Sequence, residues 1–230
     1  MRITPLVKHM STSTETATPR PVRLDIAGVA LHADLSLPSD ALGLVVFAHG
    51  SGSSRHSARN RTVAESLQHA HFATLLLDLL TEQEDAVDVT TAQFRFDIAL
   101  LGERVVAALD WVRLNPPTSS LPLGLFGAST GAAAALIAAA TRPAAVGAVV
   151  SRGGRPDLAD ASLERVTAPT LLIVGGRDPV VIDLNRQALG RLNTPKELQI
   201  VPGATHLFEE PGALSQVSQL AGDWFVRYLR

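Results

Sequence analysis

The chain has 230 residues, of which 46% are hydrophobic and 18% are charged. An average domain carries roughly 25% charged residues, so this apolar composition excludes global disorder and allows a large core. The formal charge of −2 gives no general attraction to nucleic acid or to an acidic membrane, and the absence of cysteine excludes disulfides, a thiolate nucleophile and cysteine-ligated metals.

The first 21 residues are rich in serine and threonine and lack the apolar segment of a secretory signal. We interpret residues 1–21 as a disordered extension and residues 22–230 as one domain, because no internal repeat or long linker divides the rest. The longest apolar stretches are about eight residues, far below the roughly 20 that cross a bilayer. We expect a cytoplasmic protein without a membrane partner.

The next two segments, at 22–27 and 31–37, alternate apolar and polar residues around Gly28, which predicts an antiparallel hairpin. Short runs that are apolar throughout follow, as expected of strands covered on both faces. These predicted strands are residues 44–48, 73–77, 121–126, 146–150 and 170–174, with a last strand at 197–201. Segments with helical periodicity alternate with them. The predicted helices are residues 60–70, 96–114, 131–140, 182–192 and 213–229, with a short helical segment near 158–165.

Alternation of strands and helices predicts an α/β fold with a parallel sheet and right-handed crossovers. Ligands bind such sheets beyond the carboxyl ends of the strands, so the residues directly after each apolar run are the functional candidates. Between the predicted helix at 131–140 and the strand at 170–174, the interval from Ser129 to Asp178 holds the strand at 146–150 and the short helical segment near 158–165. This leaves no room for a large lid and predicts an open, shallow site.

The sequence GASTG at 127–131 lies between a predicted strand and an alanine-rich helix. A G-x-S-x-G sequence at such a junction is typical of a nucleophile elbow, in which a serine is exposed on a tight, strained turn. We therefore predict that Ser129 is a nucleophile. The alternative is a glycine-rich turn in which Ser129 caps the helix.

Asp178 and His206 follow two successive late strands, which would bring both side chains to the same edge as Ser129. A serine hydroxyl needs a base at neutral pH, and an imidazole base needs an orienting carboxylate. We predict His206 as the base and Asp178 as the orienting acid. The alternatives are a turn residue before Pro179 for Asp178, and an ordinary polar loop residue for His206.

The sequence HGSGSS at 49–54 follows the strand at 44–48, and its small residues would let the backbone approach a substrate oxygen. We predict that the backbone amides of Ser51 and Thr130 form an oxyanion hole and that His49 orients the loop. A phosphate-binding loop is excluded here because the G-x-x-x-x-G-K-[ST] spacing and its lysine are missing.

These motifs, together with GGRD at 175–178 and GATH at 203–206, resemble those of the α/β-hydrolase superfamily, in the same chain order. Within it the sequence is similar to small dienelactone-hydrolase-like proteins, over about residues 22–230. The resemblance implies a doubly wound, mostly parallel eight-stranded sheet with helices on both faces, and hydrolysis through an acyl-enzyme on the triad of Ser129, Asp178 and His206. Dienelactone hydrolases proper use a cysteine nucleophile, which argues against dienelactone as the substrate.

Arginines also follow predicted strands, and Arg55 and Arg152 would converge on one rim of the sheet. A guanidinium pair suits carboxylate or phosphate recognition. We therefore predict that Arg55 and Arg152 bind an anionic group of a small ester, lactone or thioester. The alternative is that each arginine pairs with a local acid.

We expect no cofactor, no metal site and no nucleic-acid partner, since the seven histidines and the few aromatic residues form no suitable cluster. A homodimer is compatible with this interpretation. The segments GSGSSRHSARNR and SRGGRPDLA resemble a subgroup sometimes fused to phosphoribosyltransferase domains, which implies a functional link to such an enzyme. Two other functions use the same fold: a non-catalytic binding protein, and an acyltransferase or perhydrolase with the same triad.

Overall fold

A computed structural model describes residues 18–26 and 28–229. Most of the predicted N-terminal extension, residues 1–17, lies outside the described residues. Residues 20 and 21 already belong to the first strand, where Arg20 pairs with Leu35. The domain therefore includes at least two residues before the predicted boundary at Val22.

Eight strands form one sheet. They are β1 (Arg20–Ile26), β2 (Val29–Ser36), β3 (Gly43–Ala48), β4 (Phe72–Leu77), β5 (Leu123–Ala128), β6 (Val146–Arg152), β7 (Thr170–Gly175) and β8 (Lys196–Val201). Their order across the sheet is β1–β2–β4–β3–β5–β6–β7–β8. The pairs β1–β2 and β2–β4 are antiparallel and all others are parallel, as the opening hairpin and the apolar strands predicted.

Helices cover both faces of the sheet. They are α1 (Ala58–His69), α2 (Glu82–Thr91), α3 (Ile98–Leu114), α4 (Thr130–Thr141), α5 (Pro179–Arg191) and α6 (Ala213–Tyr228), with a 3₁₀ segment at Pro156–Arg165. Successive side chains of a strand point to opposite faces. In β3, Val45 and Phe47 pack with α1 and α6, whereas Leu44, Val46 and Ala48 pack with α3 and α4. This two-faced burial explains why the inner strands are apolar at every position, and it confirms the doubly wound α/β fold.

Helix α2 was not predicted, because it lacks an apolar stripe and its one buried residue is Asp88. A capping box stabilises its start: the Glu84 amide donates to Thr81 Oγ1 at 3.1 Å, and the Thr81 amide donates to Glu84 Oε2 at 2.8 Å. The Thr-x-x-Glu spacing at 81–84 is the sequence signal that would have located the helix.

The 3₁₀ segment is the single helical element between β6 and β7 among the described residues, in agreement with the absence of a large lid. No helix in residues 18–26 and 28–229 has the length and apolarity needed to cross a membrane.

Candidate active site

Ser129 lies at the junction of β5 and α4 in a backbone conformation that residues other than glycine rarely adopt, with φ 50° and ψ −122°. Its amide donates to the Arg152 carbonyl at 3.2 Å, and its carbonyl accepts from the amides of Ala132 and Arg155 at 3.1 and 3.0 Å. These bonds tie the turn to both neighbouring elements and hold the strained residue in place.

The glycines on either side of Ser129 make this turn sterically possible. A Cβ atom on Gly127 would lie 2.4 Å from Ala132 Cα, and one on Gly131 would lie 2.3 Å from the Ala48 carbonyl oxygen. Both contacts are with backbone atoms that cannot rotate away. The G-x-S-x-G spacing is therefore a packing requirement of the close approach between α4 and β3.

His206 and Asp178 are joined by a hydrogen bond, with His206 Nδ1 2.7 Å from Asp178 Oδ2. The loops that carry them are joined because the Arg177 amide donates to the Ala204 carbonyl at 2.9 Å. The imidazole is half-buried and the carboxylate is more enclosed. An imidazole held at Nδ1 presents its other nitrogen, Nε2, as an acceptor for a proton.

Glu210 supports the His206 loop and was not predicted to do so. Its Oε2 accepts a hydrogen bond from the Thr205 amide at 3.0 Å. This bond lowers the pKa of Glu210 below its ordinary value, which keeps the side chain ionised near the catalytic histidine candidate.

Ser129 and His206 line one cavity of about 240 Å³, called here the Ser129 cavity. Gly50 and Ser51 line the same cavity, so the structure brings the predicted oxyanion loop against the elbow. A Cβ atom on Gly50 would lie 3.0 Å from Ser129 Cβ. Thr130 is the first residue of α4, where a backbone amide has no partner within the helix.

His49 orients the loop at residues 49–54, as predicted, by linking it to the segment that follows β4. Its Nδ1 lies 2.9 Å from the Gly50 carbonyl oxygen, and its Nε2 accepts from the Leu79 amide at 3.1 Å. Burial lowers the pKa of His49, which favours the neutral ring that these two bonds require.

The two predicted substrate arginines lie in different environments. Arg152 lines the Ser129 cavity, where its Nη2 donates to Asn60 Oδ1 at 3.2 Å. Arg55 instead lines a second cavity of about 250 Å³, called here the Asp78 cavity. The Arg55 guanidinium pairs there with Asp78 and, at 3.5 Å, with Asp34. The structure therefore places Arg55 in a different cavity from Arg152 and pairs it with local acids, which was the alternative interpretation, and a shared binding role for the two arginines stays an untested prediction.

Arg59 and Asn60 also line the Ser129 cavity and were not among the predicted site residues. Both lie in the first turn of α1, directly after the oxyanion loop. Their proximity to Ser129 depends on the packing of α1 beside β3, which no local motif encodes. No group of three or more histidine, aspartate or glutamate side chains is placed to share a metal ion within the part of the chain that the structure describes.

A model of the dienelactone hydrolase family matches residues 30–227. The crystal structure of a dienelactone hydrolase from Anabaena variabilis is 58% identical in sequence, with 93% of this chain and 99% of that chain covered and a TM-score of 0.91. Est1E from Butyrivibrio proteoclasticus is 16% identical, with 90% of this chain and 98% of its own covered and a TM-score of 0.75, which shows a shared fold.

Two curated proteins of Mycobacterium tuberculosis, from strains CDC 1551 and H37Rv, are 57% identical over 205 residues and are named provisionally as phosphoribosyl transferases. The match covers 89% of this chain and 45% of each relative, so the chain spans less than half the length of these relatives. The family model covers most of the chain, and the resemblance seen in the four motifs is confirmed. This chain belongs to the dienelactone hydrolase family, a family of ester-type hydrolases within the α/β-hydrolase superfamily.

Proposed function

We propose that this protein is a serine carboxylic ester hydrolase that acts on a small ester, lactone or thioester through an acyl-enzyme. One observation carries the proposal: the strained Ser129 shares a cavity with His206, and His206 is paired with Asp178 at 2.7 Å. A nucleophile, a base and an orienting acid in this arrangement are the parts that acyl transfer needs.

In the proposed reaction, His206 Nε2 takes the proton of Ser129 Oγ as the oxygen attacks the substrate carbonyl carbon. The oxyanion of the tetrahedral intermediate accepts hydrogen bonds from the amides of Ser51 and Thr130. His206 then gives its proton to the leaving alcohol or thiol, and the acyl group stays on Ser129. Water, deprotonated by the same imidazole, attacks the ester and releases the acid and the free serine.

The test is covalent labelling with a fluorophosphonate, combined with turnover of 4-nitrophenyl acetate. We expect the label on Ser129 by mass spectrometry, and we expect Ser129→Ala to lose at least about 10³-fold in kcat. Ser120→Ala, at an exposed serine of another loop, is the matched control and should keep both properties. Full activity of Ser129→Ala, with no label on the wild type, would refute the proposal.

The same experiment separates the other two functions. Labelling of Ser129 without turnover of any ester, lactone or thioester would favour a binding protein. Turnover that yields a new ester when an alcohol is added would favour an acyltransferase, because the acyl-enzyme is then resolved by a nucleophile other than water.

The phosphoribosyl transferase name of the mycobacterial relatives does not lead us to propose that activity here. The matched part of those relatives corresponds to the hydrolase domain described above, and it amounts to 45% of their length. The functional link to a phosphoribosyltransferase remains a prediction, to be tested by whether the two enzymes copurify.

A further inference from the structure

Arg152 is a buried cation beside the candidate nucleophile. It ends β6, where it is in register with Ala128, the residue before Ser129. Its relative exposure is 7%, and it lines the Ser129 cavity. The Ser129 amide donates to the Arg152 carbonyl, so the two residues are held together through the backbone as well.

The charge of Arg152 is not compensated by the surrounding protein. Its Nε and Nη1 atoms are buried without a hydrogen-bond partner, and the neutral amide of Asn60 is the one group that its Nη2 contacts. By contrast, Arg104, which is almost as buried, pairs with Glu84 at 2.7 Å. Among the described residues, no carboxylate lies within 4.0 Å of the Arg152 guanidinium. Burial and the neighbouring Arg59 lower the pKa of Arg152 to about 10, so the side chain is still a cation at neutral pH.

The surroundings of Arg152 add positive potential. Helix α1 begins at Ala58 with no acidic residue in its first turn, and Ser57, Arg59 and Asn60 from this helix start line the cavity. The N-terminus of a helix carries a partial positive charge and favours anions. Arg59 is a second cation, and within the described part of the chain it pairs with one carboxylate, that of the exposed Glu209 at 3.4 Å.

Leaving a buried cation unpaired is costly for a fold, and an anionic ligand would remove that cost. We propose that Arg152, Arg59 and the N-terminus of α1 form a subsite for an anionic group of the substrate, a carboxylate or a phosphate, beside the scissile carbonyl. The inference rests on the proposed function of Ser129, since it names the class of ester that reaches this nucleophile. Arg152 is the residue that sets the preference.

The first experiment measures selectivity with matched ester pairs. The pairs are 4-nitrophenyl hydrogen succinate with its methyl ester, 4-acetoxybenzoate with its methyl ester, and 1-acetylglycerol 3-phosphate with 1-acetylglycerol. They place a carboxylate on the acyl part, a carboxylate on the alcohol part, and a phosphate on the alcohol part. We expect the wild type to prefer the anionic member of at least one pair in kcat/KM.

Arg152→Met should reduce this preference by about 10- to 100-fold, the range expected for lost hydrogen bonds to a charged group. Arg142→Met is the matched control: it removes an arginine at the far end of α4, about 20 Å from Ser129 at 1.5 Å per residue. This control should keep the preference of the wild type. Equal kcat/KM values within all three pairs, or the same preference in wild type and Arg152→Met, would overturn the proposal.

A second experiment does not depend on turnover. The melting temperature of Ser129→Ala is measured with sodium phosphate or with monomethyl succinate, against sodium chloride at equal ionic strength. We expect a rise with at least one of the two anions, and no rise when Arg152→Met is added to the same variant. Equal shifts in both proteins would overturn the subsite. A failure of fluorophosphonate labelling, with the anion effect intact, would instead refute the function proposed for Ser129.

Discussion

The Asp78 cavity and the Ser129 cavity are both lined by residues of the loop at 49–54, and Ser53 lines both. They have nearly equal volumes, about 250 and 240 Å³. Their charges differ: carboxylates line the Asp78 cavity together with one arginine, whereas two arginines and no carboxylate line the Ser129 cavity.

The difference in charge between the two cavities shows that arginines that follow the strands of this sheet can have different roles. Arg55 is bound by its neighbours: its guanidinium pairs with Asp78, and its amide donates to Asp78 Oδ1 at 2.7 Å. It fixes the loop at residues 49–54, which carries the predicted oxyanion-hole amide of Ser51. Arg152 has no carboxylate partner among the described residues, and it lines the Ser129 cavity. One cation is thus used to build the site, and the other is available to a ligand.

The largest expected effect concerns stability. Arg55→Met leaves the largely buried Asp78 without its cation, whereas Asp34 keeps Arg61 at 3.0 Å. Breaking a buried ion pair costs about 3–5 kcal/mol, and this partly exposed pair should cost about 2–3 kcal/mol. Urea unfolding should show this loss for Arg55→Met and an unchanged or higher midpoint for Arg152→Met. If both variants were destabilised alike, the contrast between the two arginines would not hold.

A smaller effect on the free energy of unfolding is expected from His49, which lines the Asp78 cavity. Burial lowers the pKa of His49, so its contribution to stability is complete above the pKa of the unfolded chain, about 6.5, and is lost as the pH falls below that value. Protonation would also break the hydrogen bond from the Leu79 amide, at a cost of about 1 kcal/mol.

The free energy of unfolding should therefore fall more steeply from pH 8 to pH 5 in the wild type than in His49→Gln. The carboxylates and the other histidines are common to both proteins, so their contributions cancel in the difference. Parallel pH profiles would show that His49 is not held neutral by the loop.

The smallest effect concerns the ion pair of Arg59 and Glu209 at the rim of the Ser129 cavity. Glu209→Gln should release Arg59 for the substrate and raise the preference for the anionic ester by less than about fivefold, because exposed pairs contribute about 0.2–1 kcal/mol. Competition between the anionic and neutral esters in one reaction measures this ratio. A decrease in the ratio would mean that Arg59 needs Glu209 for its orientation.

Most of the fold could be predicted because the strands at the centre of the sheet are buried on both faces and are apolar throughout. Ser129, Asp178 and His206 could be named as candidates because each belongs to a local motif at a strand end, and their catalytic roles stay predictions. Helix α2 could not be predicted from hydrophobic periodicity, because the residue that it buries is Asp88 and it has no apolar stripe.

The hydrogen-bond partners of Arg55 and Arg152 could not be predicted from the sequence for a different reason. Arg55 and Asp78 are 23 positions apart, and Arg152 and Asn60 are 92 positions apart. No local spacing distinguishes the arginine that finds a carboxylate from the one that finds an amide. The partner of each arginine depends on which cavity its side chain reaches in the folded chain: the Asp78 cavity for Arg55 and the Ser129 cavity for Arg152.

The backbone bond from the Ser129 amide to the Arg152 carbonyl has a consequence for substrate length. It joins Ser129 to the backbone of Arg152 on the neighbouring strand β6, and burial limits the movement of the Arg152 side chain, so the distance between Ser129 and the proposed anion subsite should vary little. A flexible pocket would accept half-esters of several chain lengths, whereas a fixed distance favours the one whose carboxylate reaches the subsite while its ester reaches Ser129. Among the 4-nitrophenyl half-esters of succinic, glutaric and adipic acid, one chain length should therefore be hydrolysed best, and the rates should fall on either side of it.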